Sequence, residues 1–496
     1  MPRSALGPAG SAVLTLLLGL WGITREDSMW RDEAATWEAA HRTVPELGHL
    51  VQQADVVHGL YYLFMHGVFA VFGDSLLALR LPSVLAMAGA AAVTAATARR
   101  LAGPRAGLAA GAAFALMPST QHYAQEGRSY ALVVAAVAVA TRLLVTLADG
   151  RREPRTAVAP WAGYAGAMLV AALLNWLSLL ALPAHAVTVL IARRRGSARL
   201  LTHWPAAAAA TTAGALPLVL TSHSQAQQVA WIRPLTWSTA LAPLLLVASG
   251  LLCALAAKRR GRAAGATDPA DRPTVSAVSL GLPLLAVPVL ALMLVSLVEP
   301  LYIDRYVLYA NIGLAVLIGA AAGALVRSRR LLTAAVAVAF AALLPFQLGL
   351  RTPQSRVDDV LAPAETVAGA ARPGDGVLFI PSLRRDTAEV SPDSFTGLDD
   401  LALAQSPTAS GTLQGTERAP GHIREAILAK HRILVVADAD ARPGTARDAL
   451  KRKVLAVHFT RCADTEVRGR RVQAYERGTS CAAGPSHADA PPATNR

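Results

Sequence analysis

The 496-residue chain is short of charge, of aromatic rings and of lysine. Charged residues make up 16% of it and aromatic residues 5%, against 53% hydrophobic. So little charge does not cover the surface of a water-soluble chain of this length, which leaves a polytopic membrane protein as the class. Lysine stands only at 258, 430, 451 and 453, so arginine supplies nearly all the positive charge. With the abundance of alanine, that bias points to a GC-rich coding sequence and carries no mechanism. No glycine-rich phosphate loop, no paired Cys-x-x-Cys and no internal repeat is present, which removes a P-loop, a zinc ribbon and a solenoid from the reading. Of the three cysteines, Cys253 lies in an apolar run and reads as inert core. Cys462 and Cys481 share a polar tail, where they can pair if it faces an oxidising compartment. No Ala-x-Ala-like site separates the first apolar run from Arg25, so that run reads as a retained span rather than a removed signal peptide.

The net charge of +14 is unevenly spread. Residues 1–351 hold 28 Lys and Arg against 15 Asp and Glu, and residues 352–496 hold 19 against 18. The excess therefore sits among the hydrophobic segments, where it orients loops, and no nucleic-acid partner is expected. Runs long enough to span a bilayer occur at about 6–23, 75–98, 106–122, 129–147, 158–175, 177–192, 204–221, 237–257, 275–298, 306–326 and 331–349. Another run, HGLYYLFMHGVFAVFG at 58–73, is shorter, holds two histidines and is rich in Tyr and Phe, so it is read as an interfacial helix. With that helix flat and the N-terminus cytoplasmic, the basic segments 99–105, 151–155, 193–199, 258–272 and 327–330 all face inward. If it crossed, every one would face outward.

The expected fold class is thus an α-helical polytopic membrane protein of about eleven spans with a small extracytoplasmic α/β C-terminal domain. Residues 1–350 form the transmembrane domain, with 24–74 as its first external loop. Residues 351–481 form the α/β domain, and 482–496 a disordered tail. Strands are expected at 376–380, 432–438 and 454–459, between helices near 356–371, 421–430 and 444–451.

On this topology the external loops collect Asp32, Glu33, Asp55, Glu126, Glu299 and Asp304, with Arg31, Arg128, Arg233 and Arg305 as the chief cations. Four clusters result. They are Arg31-Asp32-Glu33; Asp55 with His58, Tyr61 and Tyr62; Glu126, Arg128 and Tyr130; and Glu299 with Asp304, Arg305 and Tyr306. Charges at span ends also serve merely to stop helices, to snorkel or to pair with each other. Four mixed clusters on one face favour a site. A carboxylate there can take a proton from an acceptor hydroxyl. A guanidinium or imidazolium at headgroup depth can hold a phosphate as charge builds on a leaving oxygen. An aromatic ledge beside both can guide a lipid chain. Together they describe sugar transfer from a lipid phosphate, because sugar nucleotides are cytosolic.

The segments MWRDEAATW, DVVHGLYYLFMHGVFAVFGDSLLALRLPS, YAQEGRSYAL and DRYVL, in that order and spacing, resemble the multi-spanning GT-C glycosyltransferases of the family 39 type. That family includes protein O-mannosyltransferases and the lipid A aminoarabinose transferase. The resemblance runs through about residues 5–350 and implies a polyprenyl-phosphate-sugar donor, a membrane-lipid partner and an unidentified extracytoplasmic acceptor in the plasma membrane. It casts Asp32 as the catalytic base and Glu33 as its neighbour at donor or acceptor. It places His58 at the donor phosphate, Glu126 and Arg128 around the sugar, and Arg305 and Tyr306 near the phosphate. Tyr61 and Tyr62 fall on the lipid-guiding helix, and Asp55, Asp304 and Arg233 are further contacts. The chain departs from the family at His58-Gly59-Leu60, where prolines commonly follow the His or Lys.

The leading function is an inverting mannosyl transfer, although no residue specifies mannose and an arabinosyl or other hexosyl donor stays open. A transporter or lipid flippase is the alternative. Few charged residues lie within the spans and no pair of apolar segments reads as broken helices, both against it. An envelope protein whose tail binds a partner leaves the external acids unexplained. No cofactor is required by the sequence. A divalent metal on His41, His49 and His58 with Asp32 and Glu33 is a competing reading, although their spacing matches no closed zinc site. Trp231, in the loop after SHSQAQQ, reads as an interfacial anchor.

Overall fold

A computed structural model of the chain describes residues 6–149, 158–195, 200–225, 231–263, 274–326, 328–439 and 444–481. It is mostly helical, and its contacts divide it into two compact units. Met1–Glu26 with Thr43–Ser355 form one, and Asp27–Arg42 with Arg356–Arg496 the other. The expected disordered tail, the basic segment 151–155 and most of the basic segments 193–199 and 258–272 lie outside the described residues.

In the first, membrane unit, every apolar run predicted from sequence is helical. Among the described residues, seven helices are long and apolar enough to cross a membrane by length and composition: Leu76–Ala102, Tyr130–Ala148, Trp176–Arg193, Leu200–Ser224, Trp237–Arg260, Ala277–Val295 and Arg329–Gly349. Shorter apolar helices include Gly7–Leu20, Val158–Leu174 and Ala310–Leu325. Small residues let them approach closely. A Cβ added to Gly313 would stand 2.5 Å from the Gly281 carbonyl oxygen, so helices Ala310–Leu325 and Ala277–Val295 meet backbone to backbone. The alanine-rich composition has its structural use in such contacts.

One predicted run differs. Residues 106–122 form two helices, Pro104–Leu116 and Pro118–Ala124. Pro118 drives the preceding Met117 out of helical geometry, to φ −57° and ψ 125°. The carbonyls freed by the break are taken up by side-chain amides. Gln121 Nε2 donates to Ala115 O at 2.7 Å and Gln347 Nε2 to Leu116 O at 3.2 Å. The segment at 58–73 folds as a short turn, Val56–His58, leading into helix Gly59–Phe72. Tyr61, Tyr62, Met65 and Phe69 line its buried face, while Leu63, Phe64, Val71 and Phe72 are exposed. That two-sided pattern suits a helix lying on an interface.

The second unit is built on a five-stranded sheet. Its strands are β1 (Gly376–Ile380), β2 (Asp399–Asp400), β5 (Arg432–Asp438), β6 (Phe459–Val467) and β7 (Arg470–Arg477), in the order β2-β1-β5-β7-β6. β3 (Leu403–Gln405) and β4 (Thr416–Glu417) form a separate antiparallel pair. β1 is parallel to both neighbours, and β7 is antiparallel to β5 and β6. Both sheet faces are covered. Leu378, Ile380, Ile433 and Val435 pack against Ile423, Ile427, Val454 and Leu455 on one side. Val377, Phe379, Leu434 and Val436 pack against Val367 on the other. This two-sided burial is why β1 reads as an unbroken apolar run.

The strand expected at 454–459 is instead the last turns of helix Ala446–His458. Asp448, Lys451, Val454 and Leu455 are buried at helical spacing, and Thr445 caps the helix by accepting from Asp448 N. The hairpin of β6 and β7 was not expected from the sequence. Its two-residue turn, Arg468-Gly469, has positive φ at both positions, 46° and 82°. Cys462 and Cys481 form a disulfide across this region.

Candidate active site

In the membrane unit, the site begins at Asp55, which adopts a left-handed conformation with φ 58° just before helix Gly59–Phe72. Gln225 secures the turn, accepting from Val56 N and donating to Val51 O, each at 3.0 Å. The Asp55 carboxylate accepts from the Tyr62 hydroxyl and lies 3.9 Å from His58 Nε2. His58 is 9% exposed, and its Nδ1 is buried with no hydrogen-bond partner among the described residues.

The loop of YAQEGRSYAL reaches the same place. Ser83 Oγ donates to Glu126 O at 2.7 Å and holds the loop down. A Cβ on Gly127 would stand 2.5 Å from Leu79, so only glycine fits there. Arg128 Nη1 donates to the Tyr62 hydroxyl at 3.3 Å. Tyr130 stands edge-on to His58 with ring centres 6.5 Å apart. Arg305 completes the cluster, its guanidinium 5.5 Å from the ring centre of Tyr130, 5.7 Å from Trp231 and 5.9 Å from Tyr306. Glu126, 1% exposed, lies 3.7 Å from His122 Nε2, and the Tyr123 hydroxyl donates to Asp304 at 3.1 Å.

Three of the four sequence clusters, from separate segments, therefore meet in one place. Buried Tyr61 lies on the same helix, 6.2 Å from Phe64. Arg233 is exposed on the segment after Trp231, and Arg305 is the guanidinium seen against the rings. Among residues the sequence did not single out, His122, Tyr123 and Gln225 join the cluster. Trp231, read only as an anchor, stacks on its cation. The signal for His122 was its place four residues before Glu126 on a short helix.

The first cluster lies in the other unit. Helix Arg31–His41 carries Asp32, half-buried, and Glu33, fully buried. On the same helix, burial pushes the Glu38 carboxyl up to about 8 against the opposing pull of Arg42, with Glu389 and Asp386 adding to the rise. Among the described residues, no group of three or more His, Cys, Asp or Glu side chains is arranged to hold a metal ion.

Residues 59–223 match the model of the dolichyl-phosphate-mannose-protein mannosyltransferase family. The chain superposes on ArnT from Cupriavidus metallidurans in the apo state with a TM-score of 0.62 at 13% identity, covering 94% of this chain and 96% of that one. The chain thus shares the fold of ArnT. ArnT from the same organism bound to undecaprenyl phosphate gives 0.57 at 14% identity, covering 96% and 98%. No curated protein matches the chain. The family match takes in Tyr61, Tyr62, Glu126 and Arg128. Asp32, Glu33, Asp55, His58, Arg233, Asp304, Arg305 and Tyr306 fall outside it.

Proposed function

We propose that this protein transfers a sugar, mannose in the first instance, from a polyprenyl-phosphate donor to an extracytoplasmic acceptor hydroxyl, with inversion at the anomeric carbon. The observation that carries this reading is the cluster of His58, Arg128 and Arg305 among Tyr62, Tyr130 and Trp231, where the buried Nδ1 of His58 has no partner among the described residues. A ligand can satisfy a buried polar atom of that kind, as water or an ion can, and two guanidiniums beside it suit a phosphate. The exposed face of helix Gly59–Phe72 suits the polyprenyl chain. Undecaprenyl phosphate bound to the ArnT of like fold supports the same donor class.

In this reaction the acceptor oxygen forms a bond to the anomeric carbon as the bond from that carbon to the phosphate oxygen breaks. Its proton passes to a carboxylate. The electron pair leaves with the polyprenyl phosphate, whose growing charge His58, Arg128 and Arg305 with Tyr306 stabilise. Asp32 is the proposed base. Its motif resembles the family's acidic loop, and it has solvent access that Glu33 lacks. Glu33 contacts donor or acceptor, Glu126 shapes the sugar pocket, Asp55 orients His58 and Tyr62, Asp304 positions Tyr123, and Arg233 adds a second phosphate contact. Paired Cys462 and Cys481 support an external C-terminal domain, as the inward-facing arginines support a cytoplasmic N-terminus.

The test uses purified protein with a panel of radiolabelled polyprenyl-phosphate sugars, mannose and aminoarabinose included, and crude envelope as acceptor. Transfer by wild type that collapses in Asp32→Asn supports the reading, and the panel names the sugar. Undiminished transfer in the variant moves the base to Glu33 or Glu126. Neither transfer nor donor hydrolysis with any sugar overturns the enzyme in favour of a transporter or flippase.

A further inference from the structure

By sequence position Arg31-Asp32-Glu33 belongs to the first external loop, yet residues 27–42 pack into the C-terminal unit. The helix they start has no cap of its own. Its N-cap residue is Trp30, whose side chain accepts no hydrogen bond from the first turn. The first turn of any helix leaves N–H groups in need of acceptors and favours a nearby negative charge. Acidic residues about 330 positions away serve the first turn and the residue just ahead of the N-cap. Asp358 Oδ1 accepts from Arg31 N at 3.3 Å, and Asp359 Oδ1 accepts from Met29 N at 3.0 Å. Val360 N returns a bond to Met29 O at 2.7 Å.

The two carboxylates are themselves fixed from behind. Asp358 Oδ2 accepts from Arg470 Nη2 at 3.0 Å and Arg384 Nη1 at 3.3 Å. Burial works to raise the Asp358 carboxyl, and Arg470, Arg384 and Arg31 overcome it and hold the group below its ordinary range. Asp359 Oδ2 accepts from Arg468 Nη1 at 3.0 Å. At the far end of the helix, Arg42 Nη2 donates to Thr412 O at 2.5 Å, and its Nε to Glu38 at 3.2 Å. Both ends of the acidic helix are thus held by the C-terminal domain.

We propose that this domain is a positioning device for the acidic motif: Asp358 caps the helix that presents Asp32, and Asp359 anchors the chain just ahead of it. The inference rests on the reading of Asp32 as base. A carboxylate acts as base only within hydrogen-bond reach of its proton, and a misplacement of about 1 Å costs on the order of a hundredfold in rate. The helix cannot hold Asp32 that closely with an uncapped first turn, so the domain supplies what the loop lacks. Asp358 and Asp359 are positioning residues.

The full-length protein in detergent provides the test, with Asp359→Ala, Asp359→Asn and Arg468→Gln. Asp359→Ala is expected to lower kcat about 10- to 100-fold with the KM for the lipid donor unchanged. Asparagine, which keeps the accepting oxygen, restores most of kcat, and Arg468→Gln lowers it about 2- to 10-fold. Hydrogen exchange over residues 31–41 rises about tenfold or more in Asp359→Ala, while β1 and β5 stay protected. Unchanged exchange over 31–41, or a loss of donor KM with kcat intact, overturns the inference. If Asp359→Ala also opens β1 and β5, Arg468→Gln decides: a lowered kcat with a protected sheet supports the proposal, and an unchanged kcat overturns it. A wild type with no transfer, whose variant still loosens 31–41, overturns the activity and leaves the anchor standing.

Discussion

The two units bury charge in different ways. In the C-terminal unit, Arg470 is fully buried and reaches Asp358 at 3.0 Å and Asp386 at 2.6 Å. Lys451 is equally buried and donates to Glu417 at 2.6 Å and to the Phe379 carbonyl at 3.0 Å. In the membrane unit, buried His58 faces aromatic rings, has one distant carboxylate, and among the described residues its Nδ1 has no partner. Burial of a charged or titratable group therefore does not by itself mark a site. What separates scaffold from site is the nearness of opposite charge: Arg470 has carboxylates at 2.6 and 3.0 Å and Lys451 one at 2.6 Å, whereas the Asp55 carboxylate is 3.9 Å from His58, and Arg470 Nε, like His58 Nδ1, has no partner among the described residues.

Substitutions can break this comparison. Asp32→Asn should lower kcat about 10²- to 10⁴-fold, measured as sugar released from labelled donor, with the helices intact by circular dichroism. Arg470→Met leaves Asp358 and Asp386 buried without their main partner and should cost the C-terminal unit about 3–5 kcal/mol. Hydrogen exchange across β5 and β7 reads this. An equal loss in helices of the membrane unit would show that the two do not unfold separately.

His58→Gln should raise the donor KM about 10- to 100-fold, as expected for losing about 1.5–3 kcal/mol of a hydrogen bond to charge. Thermal stability should barely move, since among the described residues Nδ1 has no partner to lose. A large fall in melting temperature would class His58 with Arg470 as scaffold. Gly469→Ala should cost about 1–3 kcal/mol, read by the same exchange at β6 and β7. Its φ is 82°, and a Cβ there would meet the Val357 carbonyl.

The smallest effect concerns Glu38. Burial pushes its carboxyl up to about 8 in the folded chain from its ordinary 4.5, so the fold favours the protonated form. The stability this adds is complete below about pH 4.5 and is lost as pH rises through about 8. Exchange over residues 31–41 should therefore increase between pH 6 and about pH 9, and Glu38→Gln should flatten that rise. A profile unchanged by Glu38→Gln would place the titration on another group.

Much of the helical frame was legible because spans are written in composition: long apolar runs fold as helices whatever packs against them. The aromatic helix at 59–72 and the site segments around Glu126 and Arg305 were legible for a related reason, since few charges are tolerated near the bilayer and those kept stand out. The split at Met117 was foreshadowed by Pro118, whose effect is local and steric. The C-terminal unit was harder. Val454–Phe459 reads equally as strand or helix by apolar content alone, and only its burial at helical spacing decided between them. The strand of β7, RRVQAYER, carries too much charge to read as a strand, because its arginines are neutralised by acids distant in the sequence.

By itself, then, the amino-acid order determined the membrane class, the helices and the residue types a phosphate-handling site needs, because hydrophobicity and helix formation act over short stretches. Tertiary structure alone decided which of those residues meet. It brought His58, Arg128 and Arg305 around Tyr130, and it set the acidic helix of Asp32 on Asp358 and Asp359. Both depend on contacts between segments far apart in the chain, and the energy of such a contact is fixed by partners that no local stretch contains.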